Sequence, residues 1–230
     1  MKISILLPYK ENFSPDYAGA VSLFINDTIK YSAFKNTSTV YGYTEYKKKF
    51  KSSYVNIETS KRLFFSSNKD YVKKFISIEK KSQSDLIEIH NRPIYLNFLV
   101  QSLSKRNYIL YFHNDPLSMN GSKDFKQRLN ILKNVEKIIF VSKWVQNRFF
   151  VDLDEKLKTK TEVVYPSVNK QKIIHKNKYI TFVGKLNESK GYDVFKGAVI
   201  KVLDDYPDWQ AFSLGDEDRR KVFIKHKNHR

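Results

Sequence analysis

Tyr179-Ile180-Thr181-Phe182-Val183-Gly184-Lys185-Leu186-Asn187-Glu188-Ser189-Lys190-Gly191 is the stretch from which the fold is read. An apolar, β-favouring run ends at Gly184, a polar loop with two lysines and a glutamate follows, and Gly191 opens a helix. Val194, Phe195, Ala198, Val199, Val202, Leu203 and Tyr206 recur at helical spacing and predict one apolar face. The order is therefore strand, charged loop, helix. In an open α/β sheet that junction lies at the carboxyl edge of the strands, where ligands bind. A helix N-terminus there offers free N–H groups and the positive end of a dipole, and Lys185 and Lys190 add mobile cations. The expected guest is a phosphate or diphosphate.

The same alternation runs from the start of the chain. Ile3 to Leu7 is a buried-type strand closed by Pro8, and after a polar loop Gly19 opens a helix carrying Val21, Phe24, Ile25 and Ile29. Thr39–Gly42 and Tyr54–Ile57 read as strands, and Tyr71, Val72, Phe75, Ile76 and Glu79 as a helix. Asp85–His90 is a strand, with Pro93 at the first position of the helix after it. Tyr108–Phe112 is another strand, and Ser122 is placed to cap a helix bearing Phe125, Leu129 and Leu132. Lys137–Val141 is the next, with Ser142 capping the helix of Val145 and Phe149. Alternating strands and helices predict an α/β, Rossmann-like, doubly wound parallel sheet. A polar, lysine-rich linker at 167–178 separates a first domain, 1–166, from a second, 179–230. A single βαβ unit of about fifty residues is too small for a two-sided sheet, so the second domain reads as incomplete.

Composition narrows the function classes. A hydrophobic content of 41% and an aromatic content of 15% support a packed core. Cysteine is absent, which excludes disulfides and thiolate zinc sites and fits a reducing cytosol. The start of the chain lacks a signal peptide's apolar core, and no window approaches the ~18 apolar residues of a membrane span. The net charge is +18, from 42 Lys+Arg against 24 Asp+Glu, and calls for an acidic partner or an anionic surface. There is no G-x-x-x-x-G-K-[ST], no H-E-x-x-H and no G-x-G-x-x-G after the first strand. Five histidines without ligand spacing argue against a metal site.

Val183-Gly184-Lys185-Leu186-x-x-x-Lys190-Gly191 resembles the "G-R-L-x-x-x-K-G" signature of the large group 1, family 4 type of retaining glycosyltransferases with the GT-B fold. Lys185 stands where that family usually has arginine, which keeps the charge but not the bidentate fork. The resemblance implies that Lys185, Glu188, Lys190 and Gly191, with the Gly19 loop, bind the diphosphate of a nucleotide-sugar donor. His113-Asn114-Asp115-Pro116 resembles the family's "H-x-x-P" turn and implies a catalytic His113, able to donate a hydrogen bond to a sugar hydroxyl or leaving phosphate. Asp85-x-Ile87-x-x-His90-Asn91-Arg92 resembles "D-x-I-H-x-H-N", with Glu88 in place of a histidine, and implies acceptor-side roles for His90, Asn91 and Arg92. Phe212-Ser213-Leu214-Gly215-Asp216 resembles the family's "G-D-G", after which more strands and a pair of donor-binding glutamates are expected.

The implied reaction moves a sugar, with retention and without a metal or cofactor, from a nucleotide diphospho-sugar to a glycan or lipid-linked acceptor. It belongs in the cytoplasm, with peripheral contact at the anionic inner face of the membrane, and no nucleic-acid partner is expected. This 230-residue chain, ending within the donor domain, is expected to be inactive alone. Two other classes stay open. A non-enzymatic anion-binding module would bind phosphates without reading base or sugar, and a basic nucleic-acid binder would lose affinity steeply with salt.

Overall fold

The computed structural model describes residues 1–59, 67–168, 170, 172, 175–215 and 224–230. The chain divides into two compact units, Met1–Val168 and Asn169–Arg230.

The first unit is a seven-stranded sheet: β1 (Ile3–Leu6), β2 (Ser38–Gly42), β3 (Tyr54–Asn56), β4 (Leu86–His90), β5 (Asn107–Phe112), β6 (Lys137–Phe140) and β7 (Thr161–Val163). Their spatial order is β3-β2-β1-β4-β5-β6-β7, and every pairing is parallel. The helices are α1 (Ala20–Tyr31), α2 (Ser67–Ser82), α3 (Ile94–Ser102), α4 (Phe125–Asn134) and α5 (Lys143–Phe149). The chain winds outward from β1 to β3, then returns to β4 and winds the other way. With crossovers of one hand, that reversal puts the connecting helices on opposite faces of the sheet. Two cores result. On one face α1 packs Val21, Ile25 and Ile29 against Ile3, Ile5, Leu7, Val40 and Leu86. On the other, Tyr71, Phe75, Tyr95, Leu99, Ile131 and Phe149 from the later helices pack on Leu6, Ile87, Ile89, Leu110, Phe112, Ile138 and Phe140. Residues that alternate along one strand thus feed both cores, and each fully buried side chain of this size contributes about 1.5–3 kcal/mol. The doubly wound parallel sheet expected from the alternation is present.

The second unit contains β8 (Tyr179–Val183), α6 (Tyr192–Asp205) and β9 (Gln210–Leu214), with β8 and β9 parallel. Ile180, Phe182 and Ala211 face Tyr192, Phe195, Val199 and Leu203.

Three local readings are corrected. Ser122 does not cap α4; its hydroxyl is buried and donates to the Pro116 carbonyl at 2.6 Å, while Asp124 accepts from Gln127 N–H and caps the helix. A carboxylate at the last position before the helix also meets the dipole, and Ser122 lies two residues too early. Phe125, grouped with Leu129 and Leu132 on that helix, is exposed. On α6, Val194, Ala198 and Tyr206 are exposed although they share the predicted apolar face. A two-stranded sheet covers only a narrow stripe of a helix, and the stripe it covers runs through Tyr192, Val199 and Leu203.

Candidate functional site

The order of strands reverses between β1 and β4, and the loops that leave their carboxyl ends diverge there. Such a reversal opens a crevice at the sheet edge. A cavity of about 490 Å³ lies at that edge, lined from β1 and α1 by Pro8, Glu11, Ala20 and Phe24. The ends of β4, β5 and β6 add Asn91, Arg92, His113, Asn114 and Val141.

His113 is the first residue past β5. Its Nε2 lies 3.1 Å from Nδ1 of His90, the last residue of β4, and Phe24 of α1 meets its ring edge-on at 5.0 Å between centroids. Burial, reinforced by the neighbouring His90, lowers the His113 pKa to about 3, so the imidazole is neutral. His90 is 1% exposed and stacks on Tyr111 at 4.4 Å. It is not among the residues that line the cavity, and it touches His113, which is.

Asn91 turns the chain out of β4 in the left-handed region, at φ 55°. Its backbone N–H donates to the Tyr111 carbonyl, and its side-chain oxygen accepts from His113 N–H at 3.2 Å. Asn91 therefore ties the end of β4 to the end of β5 and sets the height of His113. Arg92 donates to the Asn91 carbonyl at 2.8 Å and borders the cavity. Behind this wall, Arg148 of α5 forks onto Asp115, with Nη2 at 3.0 Å from Oδ2. Burial alone would raise the Asp115 pKa; the Arg148 hydrogen bonds and Leu117 N–H outweigh it and hold the carboxyl below its ordinary value.

Gly19 is the residue before α1, where a phosphate is expected. The carboxylate of Glu11 occupies that place, accepting from Ser22 N–H at 3.1 Å. Glu11 was not singled out from sequence, and nothing in its neighbours marks it: the turn that brings it back over Gly19 is a tertiary event.

A second cavity, about 650 Å³, opens beside the first loop among Tyr9, Lys10, Asn12, Tyr43, Glu45, Tyr46 and Thr59. Tyr9 and Tyr43 lie 5.4 Å apart, and the Tyr43 hydroxyl donates to Glu45 at 2.6 Å. That bond, with burial and the Glu45 charge, pushes the Tyr43 phenol up to about 12.

In the second unit the Gly184–Gly191 loop contains a single 3-10 turn, Glu188–Lys190, and then Gly191 at φ 74°, a conformation that glycine adopts without cost. Lys185, Glu188 and Lys190 are exposed, and among the described residues neither lysine ammonium has a partner. The structure thus gathers Gly19, His90, Asn91, Arg92 and His113 at one edge of the first unit. It gathers Lys185, Glu188, Lys190 and Gly191 on one loop of the second. Asp216 lies outside the described residues.

No protein-family model matches the chain. In sequence it is 22% identical over 171 residues to spore coat protein SA of Bacillus subtilis (strain 168), covering 64% of this chain and 45% of the relative. It is 24% identical over 161 residues to YtcC of the same organism, a protein that carries a glycosyltransferase name, covering 61% and 39%. In structure it matches a glycosyltransferase from Rickettsia africae ESF-5 with TM-score 0.65 and 15% identity, over 95% of this chain and 62% of that one. Anabaena HepE in complex with UDP-glucose matches with TM-score 0.62 and 15% identity, over 93% and 60%. The fold is that of the GT-B glycosyltransferases.

A structure from Listeria monocytogenes that carries a UDP-N-acetylglucosamine 2-epimerase name also matches all of this chain and 68% of its own, with TM-score 0.55 and 11% identity. The matched stretch spans under half the length of both curated relatives. Among the described residues, no helix is long and apolar enough to cross a membrane.

Proposed function

We propose that this chain carries the acceptor-side domain and the opening of the donor domain of a retaining, metal-independent glycosyltransferase that uses a nucleotide diphospho-sugar. The observation that carries the reading is the convergence of His113, Asn91, Arg92 and the α1 entry on one cavity at the strand reversal of a GT-B sheet. In the second unit the Lys185–Gly191 loop presents two ammonium groups, without partners among the described residues, beside a helix start, an arrangement suited to a diphosphate. UDP-sugars are the donor class favoured by likeness to HepE, whose complex holds UDP-glucose.

Catalysis in this reading is positioning and charge stabilisation. The lysines offset the charge that develops on the departing nucleotide diphosphate, and the neutral His113 orients a sugar without adding charge of its own. The tyrosine-rich cavity supports a glycan acceptor. Tyr9, Tyr43 and Tyr46 offer apolar ring faces to the C–H side of a sugar, while Asn12 and Glu45 offer polar groups to its hydroxyls. Peripheral contact with an anionic membrane rests on the net charge of +18.

Calorimetric titration with UDP, GDP and ADP and their sugar conjugates tests the reading. Saturable binding of one diphosphate over the others is expected; equal, weak, salt-sensitive binding to all three would replace the transferase with a general anion-binding module. The likeness to the Listeria monocytogenes structure named a UDP-N-acetylglucosamine 2-epimerase favours one competing chemistry, rearrangement of the donor sugar without transfer. Incubation with UDP-N-acetylglucosamine and no acceptor separates the two, since only that second activity yields a new UDP-sugar.

A further inference from the structure

Glu88 and His90 are two apart on β4 and therefore point to the same side of the sheet, the side covered by α1. The register sets His90 opposite Tyr111, which brings His113, two residues further along, onto that side as well. The three groups form a line. Glu88 Oε2 lies 3.6 Å from His90 Nε2, and His90 Nδ1 lies 3.1 Å from His113 Nε2. His90 Nε2 is buried and has no hydrogen-bond partner among the described residues, and the Glu88 carboxylate is the acceptor that faces it.

A neutral His90 has one proton to place. With the proton on Nε2, an N–H points at the carboxylate, and the Nδ1 lone pair accepts from His113 Nε2–H. With the proton on Nδ1, His90 donates to His113, and the lone pair of the buried Nε2 faces the negative oxygen of Glu88. The first arrangement is attractive at both links and the second repulsive at one.

We propose that Glu88 is a positioning residue: through His90 it holds His113 as the Nε2–H tautomer, so that His113 turns an Nδ1 lone pair to the ligand. Nδ1 has no protein partner among the described residues, and His113 lines the cavity. The proposal rests on the reading of that cavity as a sugar-transfer site and narrows it. The ligand group that meets His113 is a hydrogen-bond donor, hence a sugar hydroxyl. A phosphate oxygen, which only accepts, is excluded from that nitrogen. Under this proposal His113 accepts at Nδ1, where the family resemblance implies a donor.

Long-range proton–nitrogen correlation spectra of the histidine-labelled full chain at mildly alkaline pH test this directly. The wild type should show His113 protonated on Nε2 and bare on Nδ1, with a preference of at least about tenfold. A proton on Nδ1 overturns the proposal, and this reading needs no variant. In Glu88→Gln the amide offers either a donor or an acceptor to His90, so the preference should fall to within about twofold. An unchanged tautomer in a folded variant overturns the positioning role. Addition of UDP-glucose is read separately. The expected tautomer with no ligand-induced change at any histidine would leave Glu88's role standing and count against the transferase.

Discussion

The Glu11 carboxylate rests against Gly19 so closely that a methyl group at position 19 would come within 2.0 Å of Oε1. The backbone of Gly19, at φ −78° and ψ 168°, suits any residue, so glycine is required there for space and not for conformation. Glu11 in turn accepts from Ser22 N–H and serves as the missing cap of α1, whose own capping position has no side chain. Gly19→Ala should therefore expel Glu11 and destabilise the first unit by about 0.5–2 kcal/mol, the worth of a helix cap. In thermal unfolding, the double variant Glu11→Ala/Gly19→Ala should cost no more than Glu11→Ala alone; additive losses would disconnect the two residues.

If a donor phosphate takes the place over α1, it displaces an internal anion. Glu11→Gln should then tighten UDP binding by about two- to fivefold, the range of a charge at a helix start. Weaker binding in calorimetry would instead make Glu11 a ligand contact.

Two acid-sensitive groups act in different windows. Glu79 is fully buried; burial would raise its pKa, but hydrogen bonds from Ser84, Ser4 and Ser82 outweigh it and lower the carboxyl. Its contribution is present above the unfolded glutamate value of about 4.3 and is lost as pH falls below it. His113 stays neutral down to about 3 when folded, whereas an unfolded histidine gains its proton near 6.5. Its contribution is whole above about 6.5 and declines as pH falls from there. Unfolding measured from neutral to acid pH should show His113→Gln flattening the upper part of the slope and Glu79→Gln the lower part. Glu79→Gln should also cost about 2–3 kcal/mol at neutral pH, because donors arranged for an anion lose it.

Asn91 combines a left-handed backbone with a hydrogen bond to His113 N–H. Asn91→Ala should lose both and cost about 2 kcal/mol, whereas Asn91→Gly recovers the backbone and loses only the bond, about 1 kcal/mol. Equal costs by denaturant titration would mean the conformation of residue 91 is unstrained.

Lys185 and Lys190 sit on one exposed loop. Changing both to alanine should weaken nucleotide-diphosphate binding at least tenfold, about 1.4 kcal/mol, with the unfolding of the first unit unchanged. Retained affinity would remove the diphosphate from this loop.

Much of this was legible along the chain because it depends on period. Runs such as Ile3–Leu6 and Tyr108–Phe112, each followed by a turn and a 3.6-residue repeat, can pack in few ways other than a parallel sheet with helices on its faces. Ser142 was legible too, since a cap acts on an N–H three residues away, that of Val145 at 3.2 Å. Ser122 misled because the cap is chosen by the last residue before the helix, and a serine two residues off was free to bind Pro116 instead. The α6 face misled because sequence shows which residues are apolar, not how many strands will cover them.

His113 and His90 were marked by their places at strand ends, but their relation was not. Residue order and periodicity settle the alternation of strands and helices, the loops at their carboxyl ends, and the residue types offered there. Folding brings Glu88, His90 and His113 into contact in turn and lays Glu11 over Gly19. The difference is one of range. Helix and strand periods are set by neighbours within a turn or a pleat, whereas strand register brings together residues 23 apart, and a returning loop folds a carboxylate back onto a helix 11 residues on.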